Sequence, residues 1–246
     1  QIGNIQVAFL ARHGIGHIYN PTEVNYRANI FALKQLGVRY VVSISACGSL
    51  RDDYRPGEFV IPDQVVDFTR KRKATFFEDG LVAHISSADP FCPELSTLLS
   101  NAAANTGSVV HKGGTFITIE GPRFSSRAES HLFRSWGISI IGMTTSPEVF
   151  LAREAGLCYA ALAHITDYDV WHLSEESVTV EMIVRTLSQN TQSAQDTIRY
   201  LSEKLVTEPP CECEHALSSA LITDPLKIPE KTREKLKLLI DPYLNK

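Results

Sequence analysis

The chain has 246 residues, 43% of them hydrophobic, and a formal net charge of −4 at pH 7. This length is enough to bury a full core and favours one large domain over two. The mild acidity gives no reason to expect nucleic acid or a membrane as a partner, and no apolar run is long enough to cross a bilayer. The cysteines are odd in number, at five, and we expect a reducing compartment and a soluble, cytoplasmic protein.

Predicted strands and helices alternate along most of the chain. Strands are predicted at residues 5–10, 41–45, 59–61, 64–68, 115–119, 138–141 and 159–165. Helices are predicted at 23–36, 93–106, 147–155, 178–205 and 231–239, with Ser86 or Asp89 capping the second. The alternation predicts an α/β fold: one domain over residues 1–246, with a central mixed β-sheet flanked by helices and a C-terminal helical tail at 208–246.

Three of the predicted strands run directly into polar residues. Strand 115–119 leads into 120–127, strand 138–141 into 143–145, and strand 159–165 into 166–169. Ligands in α/β sheets bind at the carboxyl ends of strands. The sequence therefore predicts one pocket that is built from three strand ends.

Further candidates follow the first two strands. Arg12 and His13 come directly after residues 5–10, where a guanidinium group suits an oxyanion, although an ordinary polar loop explains them equally well. Small residues at 45–49 allow backbone N–H groups to approach a phosphate or a sugar, or simply form a tight turn.

Asp167 and Asp169 point to the same side of a continued strand because they are two residues apart. With Phe124 as a flat apolar face, such a pair suits a purine base, one carboxyl group holding a proton for a ring nitrogen. An N-cap followed by a turn is the alternative interpretation of these aspartates.

Other features carry less information about function. The basic run at 70–73 is interpreted as a solvated loop rather than a site for an anionic polymer. Cys211 and Cys213 are spaced to hold a metal or to form a strained disulfide, but without a second pair of ligands the evidence for zinc is weak. A G-x-G-x-x-G fingerprint and a P-loop lysine motif are both absent from the sequence, so a dinucleotide or ATP site lacks its usual signature.

Several motifs carry a resemblance to a known family. They are Ala11-Arg12-His13-Gly14, Ala46-Cys47-Gly48-Ser49-Leu50, Asp89-Pro90-Phe91-Cys92, the run from Glu120 to Ser130, Met143-Thr144 with Pro147-Glu148, and Thr166-Asp167-Tyr168-Asp169. In order and spacing the chain resembles the 5′-methylthioadenosine phosphorylases of the trimeric purine nucleoside phosphorylase family. The resemblance covers residues 5–205, and the run at 120–130 is its most specific part.

The resemblance implies a pentosyltransferase reaction, in which methylthioadenosine and phosphate give adenine and 5-methylthioribose 1-phosphate without cofactor or metal. It also implies a homotrimer and a set of site residues. Those for phosphate are Arg12, His13, Ser45, Ala46 and Thr144. Those for the nucleoside are Phe124, Ser125, Met143, Ala46, Asp167 and Asp169, with Val180 and Ile183 at the methylthio group and His84 reaching a substrate in the neighbouring subunit.

One departure and three alternatives accompany this interpretation. The family's N-terminal glycine-rich phosphate turn is absent from the sequence, and we expect missing residues rather than an incomplete site. A phosphorylase for 6-oxopurine nucleosides is the nearest alternative, but that family pattern has asparagine where this chain has an aspartate. The others are a non-catalytic nucleoside-binding protein and an α/β domain with a vestigial pocket.

Overall fold

The computed structural model describes residues 1–172 and 179–244. Its strands are β1 (Tyr40–Ser49), β2 (Phe59–Ile61), β3 (Gln64–Phe68), β4 (Val110–Lys112), β5 (Thr115–Ile119), β6 (Ile140–Gly142) and β7 (Cys158–Asp167). Its helices are α1 (Tyr26–Gln35), α2 (Pro93–Ala104), α3 (Arg127–Ser135), α4 (Thr145–Glu154), α5 (Val180–Ser202) and α6 (Glu230–Leu244).

These strands form one mixed sheet in the order β3-β5-β6-β1-β7-β2-β4. The long strands β1 and β7 are parallel and pair from Tyr40↔Cys158 onward. At its end β1 turns to β6, with which it pairs antiparallel at Gly48↔Ile141. The predicted α/β fold with a central mixed sheet and flanking helices is confirmed.

The core lies on both faces of β7, which is buried over its whole length. Alternate side chains of a strand point to opposite faces. Tyr159 and Ala161 accordingly pack with α1, α4 and α6, whereas Ala160 and Leu162 pack with α2 and α5. This double burial explains why the strand reads as a continuous apolar run in the sequence.

Two helix starts show how local sequence sets the boundaries. Ser126 and Glu129 form a capping box at α3, in which each side chain binds the backbone N–H of the other residue. At α2 the cap is the sulfur of Cys92, which accepts a hydrogen bond from the Leu95 N–H. The prediction of Ser86 or Asp89 as the cap of this helix was therefore wrong.

Other predictions also need correction. Residues 5–10 do not form a strand of the sheet, because their backbone does not pair with any of its strands. Phe9, within this segment, is 80% exposed. β4 and α3 were not predicted. β4 is only three residues long and shows no apolar periodicity.

The chain after α5 returns to the body of the protein. A short 3₁₀ turn at Glu212–His215 precedes α6, which buries Leu236, Leu239 and Ile240 against the side of the sheet that also holds α1 and α4. Among the described residues, every helix is too short or too polar to cross a bilayer.

Candidate active site

The ends of β1, β5, β6 and β7 lie against one another. Gly121, which follows β5, has φ +63°, and a Cβ placed there would lie 2.6 Å from the sulfur of Met143, which follows β6. Gly142 faces the carbonyl oxygen of Ala46 on β1. These contacts bring the predicted strand ends together, and the shared pocket stays a prediction.

Gly48 brings β1 against the two aspartates that end β7. A Cβ at Gly48 would lie 2.9 Å from Asp167 Oδ1 and 3.3 Å from Asp169 Cβ. Only a glycine leaves both carboxyl groups in place, since real Cβ atoms do not approach an oxygen this closely. The backbone of β1 thus forms one wall around the aspartate pair.

Asp167 is held rigidly. The Asp169 N–H donates to its Oδ1 at 2.8 Å, and the Thr166 hydroxyl donates to its Oδ2 at 2.6 Å. Burial raises the pKa of Asp167 to about 6, with the charge of Asp169 acting in the same direction and these two hydrogen bonds opposing it. A carboxyl group with such a pKa is able to hold a proton near neutral pH and to donate it.

Asp169 has a left-handed backbone, with φ +50°, which turns its side chain away from a simple strand continuation. Burial raises the pKa of this carboxyl group, while the nearby hydroxyls of Ser130 and Ser125 oppose the rise. Asp169 Oδ2 and these two hydroxyls are buried, yet within the described chain none makes a hydrogen bond of good geometry. Unsatisfied buried polar atoms of this kind indicate a place where a polar ligand binds.

Phe124 directly precedes Ser125, one of these residues, in the chain. Its ring is 36% exposed, whereas Ser125 is buried. The pair therefore offers an accessible flat apolar surface and a buried hydroxyl side by side, which suits an aromatic ring with polar edges.

Met143 and Thr144 connect β6 to α4. Arg72 Nη1 donates to the Met143 carbonyl at 2.6 Å, which fixes the backbone at this point. Thr144 is the N-cap residue of α4 but its hydroxyl makes no cap hydrogen bond. The adjacent buried hydroxyls of Thr145 and Ser146 also have no partner among the described residues. Ser146 has an extended backbone (φ −99°, ψ 138°), so these three hydroxyls lie just before the continuous part of α4, and hydroxyl donors there can bind an anion.

Arg12 is anchored by an acidic partner. Its Nε and Nη2 donate to the two carboxylate oxygens of Glu148, and Nη2 also donates to the Ser43 hydroxyl, each at 2.6 Å. Burial disfavours the charged guanidinium, but Glu148 outweighs burial and raises the pKa of Arg12. Ser43 in turn lies 3.1 Å from the Ser45 hydroxyl, which links Arg12 to β1.

The remaining predicted site residues are His13, His84, Val180 and Ile183. His13 Nδ1 lies 2.9 Å from the Tyr19 carbonyl oxygen, its ring stacks on His17, and burial lowers its pKa. His84 is exposed, and its backbone N–H donates to the carbonyl of Ala220. Val180, which is 67% exposed, and the partly buried Ile183 lie in the first turn of α5.

The basic run was only partly interpreted correctly. Arg70 and Lys71 are exposed and offer their backbone N–H groups to the Glu120 carboxylate, whereas the Arg72 side chain is 1% exposed. Arg72 binds the carbonyls of Glu120, Met143 and Ser146. The interpretation as a solvated loop was therefore wrong for Arg72, which holds two strand ends together.

Sequence reasoning missed two residues of this site, Glu148 and Arg72. A signal for Glu148 existed, because an acidic residue in the buried first turn of an apolar helix calls for a partner. No local signal identified Arg72, since its partners lie 48 to 74 residues away.

Comparison with known proteins agrees with this architecture. A family model described as the phosphorylase superfamily matches residues 1–203. The S-methyl-5′-thioadenosine phosphorylase of Geobacter sulfurreducens is 50% identical over 244 residues, which cover 99% of this chain and 85% of the relative. That of Koribacter versatilis is 49% identical and covers 97% of this chain and 82% of its own length.

Solved structures are similar as well. A crystal structure of methylthioadenosine phosphorylase from an Antarctic soil metagenomic library superposes with a TM-score of 0.93 at 45% identity, covering 98% of this chain and 85% of that one. The enzyme from Schistosoma mansoni, in complex with adenine, has a TM-score of 0.79 at 35% identity, covering 94% and 81%. The family resemblance in the motifs is confirmed, and the chain belongs to the phosphorylase superfamily.

Proposed function

We propose that this protein catalyses the phosphorolysis of S-methyl-5′-thioadenosine to adenine and 5-methylthioribose 1-phosphate. Relatives with that name, at about half identity over nearly the whole chain, support the assignment. The structural observation that carries it is the buried aspartate pair at the end of β7, where Asp167 has a pKa of about 6 and Asp169 keeps an unpaired oxygen.

The base is bound between Phe124 and the aspartates. In this proposal the purine ring lies against Phe124, Asp167 faces N7 and the exocyclic amino group, and Asp169 supports Asp167 from below with Ser125 nearby. A ligand with both hydrogen-bond donors and acceptors satisfies the unpaired Asp169 oxygen and the Ser125 hydroxyl, whereas an apolar ligand leaves them buried and unsatisfied.

Phosphate is bound beneath the sugar by donors from two sides. Thr144 contributes its uncommitted hydroxyl at the N-terminus of α4, and Ser45 and Ala46 contribute the strand end of β1. Arg12 supplies the cationic side, and His13, whose pKa is lowered by burial, contributes a neutral imidazole. Glu148 is a positioning residue for Arg12, because it fixes the guanidinium plane in a bidentate pair.

The proposed reaction exchanges one bond for another at C1′ of the ribose. A phosphate oxygen forms a bond to C1′ while the C1′–N9 bond breaks, and the electron pair of that bond goes to adenine. The proton on Asp167 passes to N7 and neutralises the leaving base. General acid assistance of this kind contributes about 10²–10⁴-fold to a rate. The Met143 backbone, held by Arg72, lines the ribose on which positive charge develops.

The finer features of the proposal concern the 5′ end and the assembly. Val180 and Ile183 form the apolar surface for the methylthio group. His84 reaches the 5′ end of a nucleoside that is held by a neighbouring copy, which requires a homotrimer. Inorganic phosphate is a co-substrate, the reaction uses no cofactor, and the enzyme acts in the cytoplasm.

Release of free base measured by chromatography tests the proposal. The protein is incubated with methylthioadenosine, adenosine or inosine, each with and without inorganic phosphate. We expect adenine from methylthioadenosine only when phosphate is present, and little hypoxanthine from inosine. Preference for inosine, base release without phosphate, or saturable binding without any base release would each overturn the assignment.

A further inference from the structure

Four of the five cysteines converge at one point on the protein, far from the aspartate pair. The Sγ atoms of Cys92, Cys158, Cys211 and Cys213 all lie within 4.8 Å of one another. We call these four residues the cysteine cluster. They come from three separate segments: the cap of α2, the first residue of β7, and the 3₁₀ turn that follows α5.

The cluster supplies what the Cys-x-Cys motif lacked in the sequence. Cys211 and Cys213 supply two sulfurs from positions two residues apart, and the fold adds Cys92 and Cys158 as the second pair. Tetrahedral zinc sites use four ligands, with Zn–S bonds of about 2.3 Å, so that the sulfurs lie about 3.8 Å apart. The observed spread requires only small shifts to reach this geometry.

A disulfide explains the arrangement less well. Cys158 Sγ and Cys211 Sγ lie 3.1 Å apart, well above the bond length of about 2.05 Å. All four are free thiols. A disulfide requires only two sulfurs to lie close together and does not explain the position of the other two. A metal ion requires all four sulfurs to face a common centre.

The surroundings of the cluster suit bound thiolates. Cys92, Cys158 and Cys213 are at most 5% exposed and pack among apolar side chains of α2, β7 and α5. The Leu95 N–H donates to Cys92 Sγ at 3.4 Å, and a hydrogen bond of this kind orients a metal ligand. Three of the four cysteines are thus buried away from water, whereas Cys211 is partly exposed, and the Cys92 sulfur is already held in position.

We propose that the cysteine cluster is a structural Zn²⁺ site with four thiolate ligands. Binding releases the four thiol protons and forms four Zn–S bonds, so that no redox partner is involved. Cys158 and Asp167 stand at opposite ends of β7, nine residues or about 30 Å apart, and the ion therefore takes no part in chemistry at the aspartates. Its effect is to fasten the chain after α5 onto α2 and β7.

Metal analysis of the intact protein tests this proposal. The protein is purified without chelator under reducing conditions, its zinc is measured by mass spectrometry, and a metal-stripped sample is titrated with Zn²⁺ alone. We expect one zinc per chain, stoichiometric rebinding, and a melting temperature that rises when zinc is added. Failure of the stripped, folded and reduced protein to bind Zn²⁺ overturns the proposal.

Variants and a spectroscopic probe identify the ligands. Cys211→Ser and Cys92→Ser are expected to abolish stoichiometric zinc binding, whereas Cys47→Ser retains it because Cys47 is buried elsewhere, against the His164 carbonyl. Substitution of Co²⁺ in the wild-type protein gives thiolate-to-cobalt charge transfer and the visible bands of a tetrahedral ion. Octahedral cobalt spectra, loss of zinc in Cys47→Ser, or a disulfide within the cluster after anaerobic purification contradicts the four-thiolate site.

Discussion

Arg12 and Glu148 form a bidentate ion pair in which Nε and Nη2 of Arg12 each lie 2.6 Å from a carboxylate oxygen of Glu148. The two side chains are 14% and 7% exposed, and the Tyr159 hydroxyl donates to the same carboxylate at 2.8 Å. The pair joins the loop after residue 10 to the first turn of α4. Removing the carboxylate leaves a buried cation and a buried hydroxyl without their acceptor.

Glu148→Ala is therefore expected to reduce the free energy of unfolding by about 3–5 kcal/mol, since breaking a buried ion pair from one side is strongly destabilising. Glu148→Gln keeps one acceptor and should lose less. Urea denaturation measures both. The control is Asp53→Ala, which removes the exposed partner of Arg51 and should cost no more than about 1 kcal/mol. Equal losses in the buried and exposed pairs would contradict the structural account of Glu148.

Asp167→Asn is expected to reduce kcat by about 10²–10⁴-fold, because the amide retains the shape of the carboxyl group but has no acidic proton for the leaving base. Circular dichroism should show an unchanged fold. Asp67→Asn is a matched control on an exposed strand residue whose carboxylate accepts a hydrogen bond from the Thr69 N–H, and it should leave turnover unchanged. An undiminished rate in Asp167→Asn would remove this residue from the mechanism.

The pH dependence of activity and of stability should reflect the same carboxyl group. In the proposed mechanism the acid form of Asp167 is the donor, so kcat/KM should fall as the pH rises through about 6. The folded-state pKa lies above the ordinary value of 3.8, so the folded protein keeps a proton that the unfolded chain releases. The free energy of unfolding should then fall by up to about 3 kcal/mol as the pH rises from about 4 to 6.

The stability measurement isolates Asp167 by subtraction. Other buried carboxyl groups, such as Glu154 and Asp169, also have raised pKa values and change stability in the same direction. Denaturation curves of wild type and Asp167→Asn across the pH range remove that shared background. Parallel curves for the two proteins would show that the Asp167 pKa is not raised in the folded state.

Gly48→Ala is expected to damage activity by steric contact alone. Its φ lies outside the left-handed region, and the added methyl group would lie 2.9 Å from Asp167 Oδ1 and 3.1 Å from Ile141 Cγ2. Asp167 is held by two hydrogen bonds and moves only by losing one of them. We expect a loss in kcat/KM on the order of 10²-fold, as for a displaced catalytic group.

Steady-state kinetics on folded protein measures this loss, and Gly107→Ala is the opposite control. A Cβ at Gly107 meets open space, but the backbone there has φ +81°. That variant should lose about 1–2 kcal/mol of stability from backbone strain and keep its turnover. A Gly48→Ala enzyme with wild-type kinetics would mean that Asp167 tolerates displacement.

The sequence predicts those features that depend on residues close together in the chain. Apolar runs predicted β5, β6 and β7, and the abrupt polar residues after each of them predicted a shared pocket. The Ser126-x-x-Glu129 spacing is a capping-box pattern that marks the start of α3, although this helix was not predicted. Each of these features depends on neighbours within a few positions.

Contacts across long stretches of chain were beyond that reasoning. Glu148 has its significance through Arg12, which is 136 residues away. Cys211 gains its neighbour Cys158 at a separation of 53 residues. In both cases the partner of the residue is identified only when the fold brings the two distant positions together.

One strand, β1, holds both halves of the proposed chemistry. Ser45 and Ala46 stand on it at the phosphate side, and Gly48 touches the carboxyl group that faces the purine. β1 is held along its length by β7 and at its end by β6, and its register with β7 shifts between Cys47 and Gly48, so the segment between the two groups contains an irregularity of the ladder. In the proposed reaction one continuous strand therefore contacts both the phosphate and the purine, and the sugar is the part that moves between them.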